Sequence, residues 1–244
     1  MKRHYTDLHL CPSIQDAKQT QEMIDKAAKL GYRLTAITFH SNCTEQEIQQ
    51  IKSICAEANI DLATRVDLKP NTPGELIRSL RKLRRKFEIV AVICDTKNVS
   101  RQAAKDRRVD LLNFPCTDFH RRFFDMAEAE LASSAVASLE IEIRPLLTTE
   151  GAARIRLLSS LRKEAATAKD FHVPIVISSG ATNELLMRKP IELATLASLF
   201  DLDKKSTLDA VSKNPQTIVR TNREKLCPKF IAPGIRLVKK GKDC

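Results

Sequence analysis

Asp7 and His9 are the first residues whose types and spacing suggest chemistry. They close an apolar stretch that reads Tyr5-Thr6-Asp7-Leu8-His9-Leu10-Cys11. On a strand, positions i and i+2 face the same way, so a carboxylate and an imidazole would project side by side. Such a pair can ligate a divalent metal and, through it, activate water for hydrolysis. The next position in that register is Cys11, followed by Pro12, where a further ligand of a working site should stand. Other candidates fall at the ends of apolar runs: His40, Asp67 with Lys69, Asp95 with Lys97, Asp118 with His120, Arg144, and Ser178 with Ser179. Of these, Asp7, His9, His40, Asp67 and His120 could form a metal centre. The chain has only five histidines, two of which, His4 and His172, lie away from these ends. No later Asp-x-His pair closes a seventh or eighth strand. The ligand count therefore favours strand-end groups that hydrogen-bond a rim over a metal centre. No G-x-S-x-G elbow or recognisably flanked cysteine offers a nucleophile. Ser178-Ser179-Gly180 could cradle a phosphate or simply turn the chain, and the turn is the simpler expectation.

The elements that must position these residues alternate along the whole chain. Short apolar runs at residues 5–8, 34–39, 60–66, 89–94, 109–113, 138–143 and 174–178 read as strands. Helical patterns lie between them. Thr44-Glu45-Gln46-Glu47 has the form of a capping box, followed by Ile48, Ile51, Cys55 and Ala58 on one face. Asn71-Thr72-Pro73-Gly74-Glu75 supplies an N-cap and a first-turn proline, and the face that follows is Leu76, Leu80, Leu83 and Phe87. Ile155, Leu158, Leu161, Ala165 and Ala168 stripe a long helix after the sixth strand. Repeated strand–helix units imply a parallel sheet. About seven of them without a composition break favour an irregular TIM-like (β/α) barrel over a doubly wound sheet, and no G-x-G-x-x-G or Walker loop speaks for the latter. After residue 178 the pattern is purely helical, at residues 190–200, 204–213 and 215–222. Residues 1–225 read as a single barrel domain, and residues 226–244 as a basic, flexible tail.

The 244-residue chain is 43% hydrophobic, enough for a sizeable core, and carries a formal net charge of +11. An excess of that size points to a polyanionic partner, with nucleic acid the leading candidate. Residues 72–86 carry Arg78, Arg81, Lys82, Arg84, Arg85 and Lys86 against one acid, Glu75. Arg78, Arg81, Lys82 and Arg85 fall on one helix face, where like charges repel unless an external anion neutralises them. Lys97, Arg107, Arg108, Arg121, Arg122 and Arg144 complete the candidate RNA-binding set; Lys105 and the tail lysines add to the positive field. Aromatics are only 5% and tryptophan is absent, so base-stacking platforms are not expected, and recognition should rest on backbone charge and shape. The seven cysteines are odd in number, scattered and nowhere spaced C-x-x-C, which suits a reducing compartment. A signal peptide is not expected, and no run of about 20 apolar residues is present to span a membrane.

Several stretches together resemble a known family. They are Ile89-Val90-Ala91-Val92, Val109-Asp110-Leu111-Leu112, and Pro174-Ile175-Val176-Ile177-Ser178-Ser179-Gly180. The last continues into Leu185, Lys189-Pro190, Leu199-Phe200-Asp201-Leu202 and Ala210-Val211-Ser212-Lys213-Asn214-Pro215. With the altered Asp7-x-His9-x-Cys11 strand, they make the chain similar, over about residues 4–225, to the p30-type protein subunits of ribonuclease P, called protein component 3 in archaea. The resemblance implies a PHP-like TIM barrel with no catalytic residue and no cofactor or metal of its own. In that complex the RNA subunit, using Mg²⁺, removes the 5′ leader of precursor tRNA. The resemblance further implies ribonuclease P RNA, precursor tRNA and RNase P protein component 2 as partners, and a cytoplasmic, archaeal setting without a membrane. The alternative is a PHP-like metal-dependent phosphoesterase using Asp7, His9, His40, Asp67 and His120.

Overall fold

Seven strands, each followed by helix, build the molecule. In the computed structural model, residues 3–115, 122–232 and 234–237 are described. The order is β1 (Tyr5–Leu10), α1 (Ala17–Leu30), β2 (Tyr32–Phe39), α2 (Glu45–Glu57), β3 (Asp61–Leu68), α3 (Pro73–Leu83), β4 (Ile89–Ile93), α4 (Lys97–Lys105) and β5 (Leu111–Asn113). There follow α5 (Met126–Ala135), β6 (Ser138–Glu142), α6 (Arg144–Thr148), α7 (Gly151–Asp170), β7 (Ile175–Ser178), α8 (Pro190–Ala197), α9 (Lys204–Ala210) and α10 (Lys213–Leu226). A short antiparallel ribbon, β8 (Phe230–Ala232) with β9 (Ile235–Arg236), follows α10 within the stretch expected to be tail.

The strands pair in parallel and in chain order from β1 to β7. β1 and β7 form no full ladder. Their seam is held at one end by the Leu10–Ala181 bridge, with Cys11 N–H donating to the Ala181 carbonyl at 2.9 Å, and at the other by Thr6 N–H donating to Val211 of the α9–α10 turn at 3.0 Å. The result is a nearly closed barrel of seven strands, as the repeat of strand–helix units predicts.

Local chemistry fixes the elements. Thr44 and Glu47 close the expected capping box: the hydroxyl accepts from Glu47 N–H at 3.2 Å, and the carboxylate accepts from Thr44 N–H at 2.7 Å. Thr72 caps α3 in the same way, with Pro73 in its first turn. α3 buries Leu76, Leu80 and Leu83 against the barrel and turns its other face outward. One sequence expectation needs correction: Ile155 does not belong to the buried stripe of α7. Residues 151–156 are all exposed, so the helix overhangs the barrel and packs only from Leu157 on.

Two apolar layers result. The outer core lies between strands and helices. The inner one fills the barrel with Leu8, Leu34, Ala36, Ala63, Ile89, Ala91, Leu111 and Val176, and Val219 of α10 joins it from the strands' N-terminal side. α10 is clamped there by Asn222, which donates to Asp110 at 2.8 Å, and by Arg223, which pairs with Asp61 and Glu88. No helix among the described residues is long and apolar enough to cross a membrane.

Candidate functional site

Above the apolar floor the barrel holds charge. On β3, Ala63, Arg65 and Asp67 alternate toward the interior, and Arg65 is fully buried. Its Nε donates to Asp67 Oδ1 at 2.6 Å, and its Nη1 to the Leu8 carbonyl at 2.7 Å and to Glu140 Oε1 at 2.5 Å. Nη2 donates to Glu140 Oε2 at 2.7 Å, and that oxygen also accepts from Asn113 Nδ2 at 3.0 Å. His9 completes the group: Nε2 lies 3.1 Å from Asp67 Oδ2, and Nδ1 lies 3.8 Å from Glu140 Oε1.

The electrostatics follow from this packing. Burial alone would discharge Asp67 and Glu140, but the Arg65 guanidinium, and after it His9, outweigh burial and hold both carboxyls below their ordinary range. Burial and Arg65 push the His9 pKa down, yet Asp67 and Glu140 prevail and raise it well above that of an ordinary histidine. Arg65 and His9 thus face two carboxylates.

Asp7 takes no part in this group. Its Oδ1 accepts the backbone N–H of Ser179 and of His9, each at 3.1 Å, and burial raises its pKa despite those bonds. It pins the end of β7 to β1, whereas His9, expected with it at the rim, turns inward to Asp67 and Glu140. Ser178-Ser179-Gly180 is the turn that makes this contact. Gly180 has φ +62°, and a Cβ there would lie 2.0 Å from Glu142 Oε1, so the position has no room for a side chain.

The metal-centre set Asp7, His9, His40 and Asp67 therefore does not converge. His40 is exposed beyond β2, Asp7 faces the seam, and the lone pairs of Asp67 and Glu140 are directed at Arg65 and His9. Asp118, His120 and Arg121 lie outside the described residues. Among the described residues no group of three or more His, Cys, Asp or Glu side chains is arranged to hold a metal ion with Arg65 in place. Arg65, Glu140 and Asn113 escaped the sequence reading.

The expected basic residues separate into two classes. Arg78, Arg81, Lys82 and Arg85 lie exposed along α3, and Lys97 and Arg107 are exposed at the start of and just beyond the neighbouring α4. None of these six forms an ion pair with a described residue. The others are neutralised within the chain. Arg108 pairs with Asp106 at 2.6 Å, and Arg144 with Glu142 at 2.8 Å. Arg122 is buried against Glu164, its Nε 2.6 Å from the carboxylate, and is no part of the outer surface. Arg84, which caps the C-terminus of α3, bonds Asp110 at 2.5 Å. Exposed cations thus lie on and just past α3 and at both ends of the neighbouring α4.

Beneath these cations, the fully buried Glu128 of α5 accepts from Ser100 Oγ of α4 at 2.5 Å and faces Arg101 at 3.1 Å. Burial pushes its pKa up to about 7.

Comparison with known proteins adds a lineage to this geometry. The family model described as RNase P subunit p30 matches residues 4–226. Ribonuclease P protein component 3 of Methanosarcina barkeri is 29% identical over 231 residues, which span 94% of each chain. Its counterpart in Methanothermobacter thermautotrophicus is 22% identical over 229 residues, 92% of each. Among solved structures, a chain in the cryo-EM structure of an archaeal ribonuclease P with mature tRNA superposes with a TM-score of 0.84 at 22% identity, covering 97% of this chain and 99% of that one. Dihydroorotase from Campylobacter jejuni shares the barrel at a TM-score of 0.55 and 12% identity, covering 89% of this chain and 83% of its own.

Proposed function

The chain belongs to the RNase P subunit p30 family, and from that premise we propose that it is a non-catalytic protein subunit of ribonuclease P that binds the RNA subunit through α3 and α4. The observation that carries the assignment is the strip Arg78, Arg81, Lys82, Arg85, Lys97 and Arg107, six exposed cations that no described side chain neutralises. Phosphates satisfy such a strip through charge-assisted and bidentate guanidinium contacts. The subunit then orders and screens the RNA, and Mg²⁺ held by the RNA performs the cleavage of precursor tRNA. RNase P protein component 2 is the protein partner in this reading, and the cytoplasm its setting. The phosphoesterase alternative has less support, because, of its described ligands, Asp7 faces the seam and His40 is exposed beyond β2, apart from His9 and Asp67.

Charge reversal of Arg78, Arg81 and Arg85 together tests the assignment. Affinity for the RNA subunit should fall, and the slope of log K against log salt should flatten by roughly one unit for each phosphate the protein no longer neutralises. Filter binding over a salt series measures both. A triple variant that binds and reconstitutes like the parent at every salt concentration would show that the RNA lies elsewhere.

A further inference from the structure

The centre of the barrel poses a separate question, because the buried Glu140 and His9 and the partly buried Asp67 converge there without serving the RNA strip. We propose that Arg65 is a built-in cation occupying the place where a divalent metal would have to sit, so that the chain folds and works without a metal in its barrel, and that removing the guanidinium uncovers a latent metal site. Four groups surround the guanidinium: Asp67, Glu140, the Leu8 carbonyl and, across Asp67, His9. Arg65 saturates them in the way a metal would. It takes both Glu140 oxygens as a fork, one Asp67 oxygen and the backbone carbonyl, at 2.5–2.7 Å. The second Asp67 oxygen is claimed by His9 at 3.1 Å. A dication entering this space would meet the buried Arg65 guanidinium.

The site's construction supports a fixed rather than an exchangeable cation. Arg65 has no exposed surface of its own, and its stem rises from a floor that includes Ala36, Ala63 and Ala91. If the side chain is cut back to Cβ, one nitrogen and several oxygen donors remain directed at the vacated volume. That donor set suits Co²⁺, Mn²⁺ or Zn²⁺. The same volume also accepts a free guanidinium ion.

The experiment compares the purified full chain with Arg65→Ala by thermal melting and Co²⁺ absorption, in EDTA, in Co²⁺ and in millimolar guanidinium. The parent should carry no stoichiometric metal and keep one Tm under all three conditions. Arg65→Ala should melt lower. A ligand supplied at about 100 times its Kd should then raise its Tm by about 5–10 °C. Co²⁺ should give a visible d–d band with one equivalent bound. Adding His9→Ala should abolish the Co²⁺ effect and leave the guanidinium effect. Arg65→Lys keeps a cation but cannot bridge both Glu140 oxygens, so it should melt below the parent and ignore EDTA; it keeps the question decidable if Arg65→Ala aggregates. The proposal is overturned by a parent that holds one metal and melts lower in EDTA, by a folded Arg65→Ala indifferent to both ions, or by an Arg65→Lys as stable as the parent.

Discussion

Arg65 and Glu140 show how unevenly a buried ion pair responds to change. Replacing such a pair with well-packed apolar groups can leave stability nearly unchanged, whereas removing one member strands the other charge at a cost of about 3–5 kcal/mol. Glu140→Gln keeps the shape of the side chain but leaves the buried Arg65 half compensated. Its unfolding free energy from urea melts should fall by an amount in that range, and a variant within about 0.5 kcal/mol of the parent would mean the guanidinium finds another acceptor. These residues are only partly legible in the sequence. Asp7, His9 and Asp67 stand at strand ends, where function is sought, and are conspicuous there. Arg65 lies mid-strand in a run otherwise apolar enough to pass as wall. Its signal is the alternation Ala63, Arg65, Asp67 on β3 and the matching placement of Glu140 between Leu139 and Ile141 on β6. In a closed parallel barrel one of the two alternating sets must face inward, so a charged set demands a charged partner on another strand. Which strand supplies it depends on register, which no single sequence displays.

At the scale of elements, α4 and α5 are joined by a group that titrates near neutrality. Glu128 is raised from 4.5 to about 7 by burial, so its protonated form is favoured in the folded state. A carboxyl raised in this way binds more protons folded than unfolded, so its contribution to stability is complete below pH 4.5 and is lost as pH rises through 7. The difference is worth on the order of 3 kcal/mol across that interval. Melting temperature should therefore decline between about pH 5 and pH 8 more steeply in the parent than in Glu128→Gln, and parallel curves would show that Arg101 already neutralises the carboxylate. Helix starts are readable because caps are local: Thr44 with Glu47 and Thr72 with Pro73 do what their sequence requires. The overhang of α7 is not. Its stripe has the right period, but periodicity specifies a face and leaves open where along the helix a neighbour begins.

For the whole molecule, the asymmetry of charge is the feature that matters. Many of the arginines are spent internally, on Asp61, Asp106, Asp110, Glu142 and Glu164, yet Arg78, Arg81, Lys82 and Arg85 on and just past α3, with Lys97 and Arg107 at the two ends of α4, stay exposed. Net charge alone could announce a polyanionic partner but could not separate structural cations from available ones, because pairing across the barrel joins residues far apart in sequence. The expected consequence is a test of the assembled particle. The full chain, mixed with the cognate RNA subunit and RNase P protein component 2, should restore Mg²⁺-dependent cleavage of precursor tRNA, and the charge-reversed α3 variant should lose that rescue at lower salt than the parent. Cleavage rates over a salt series report the difference.

The seam between β1 and β7 governs the order in which the chain can be made. Ser179 reaches back 172 residues to Asp7, and Arg3 reaches forward 206 residues to Asp209. Synthesis runs from the N-terminal side, so β1 waits, one edge unclaimed, until β7 and the α9–α10 turn have followed it. Barrel closure is thus a late event of high sequence separation, slow by nature. During that interval the exposed edge of β1 is the part of the newborn protein most open to pairing with the wrong strand.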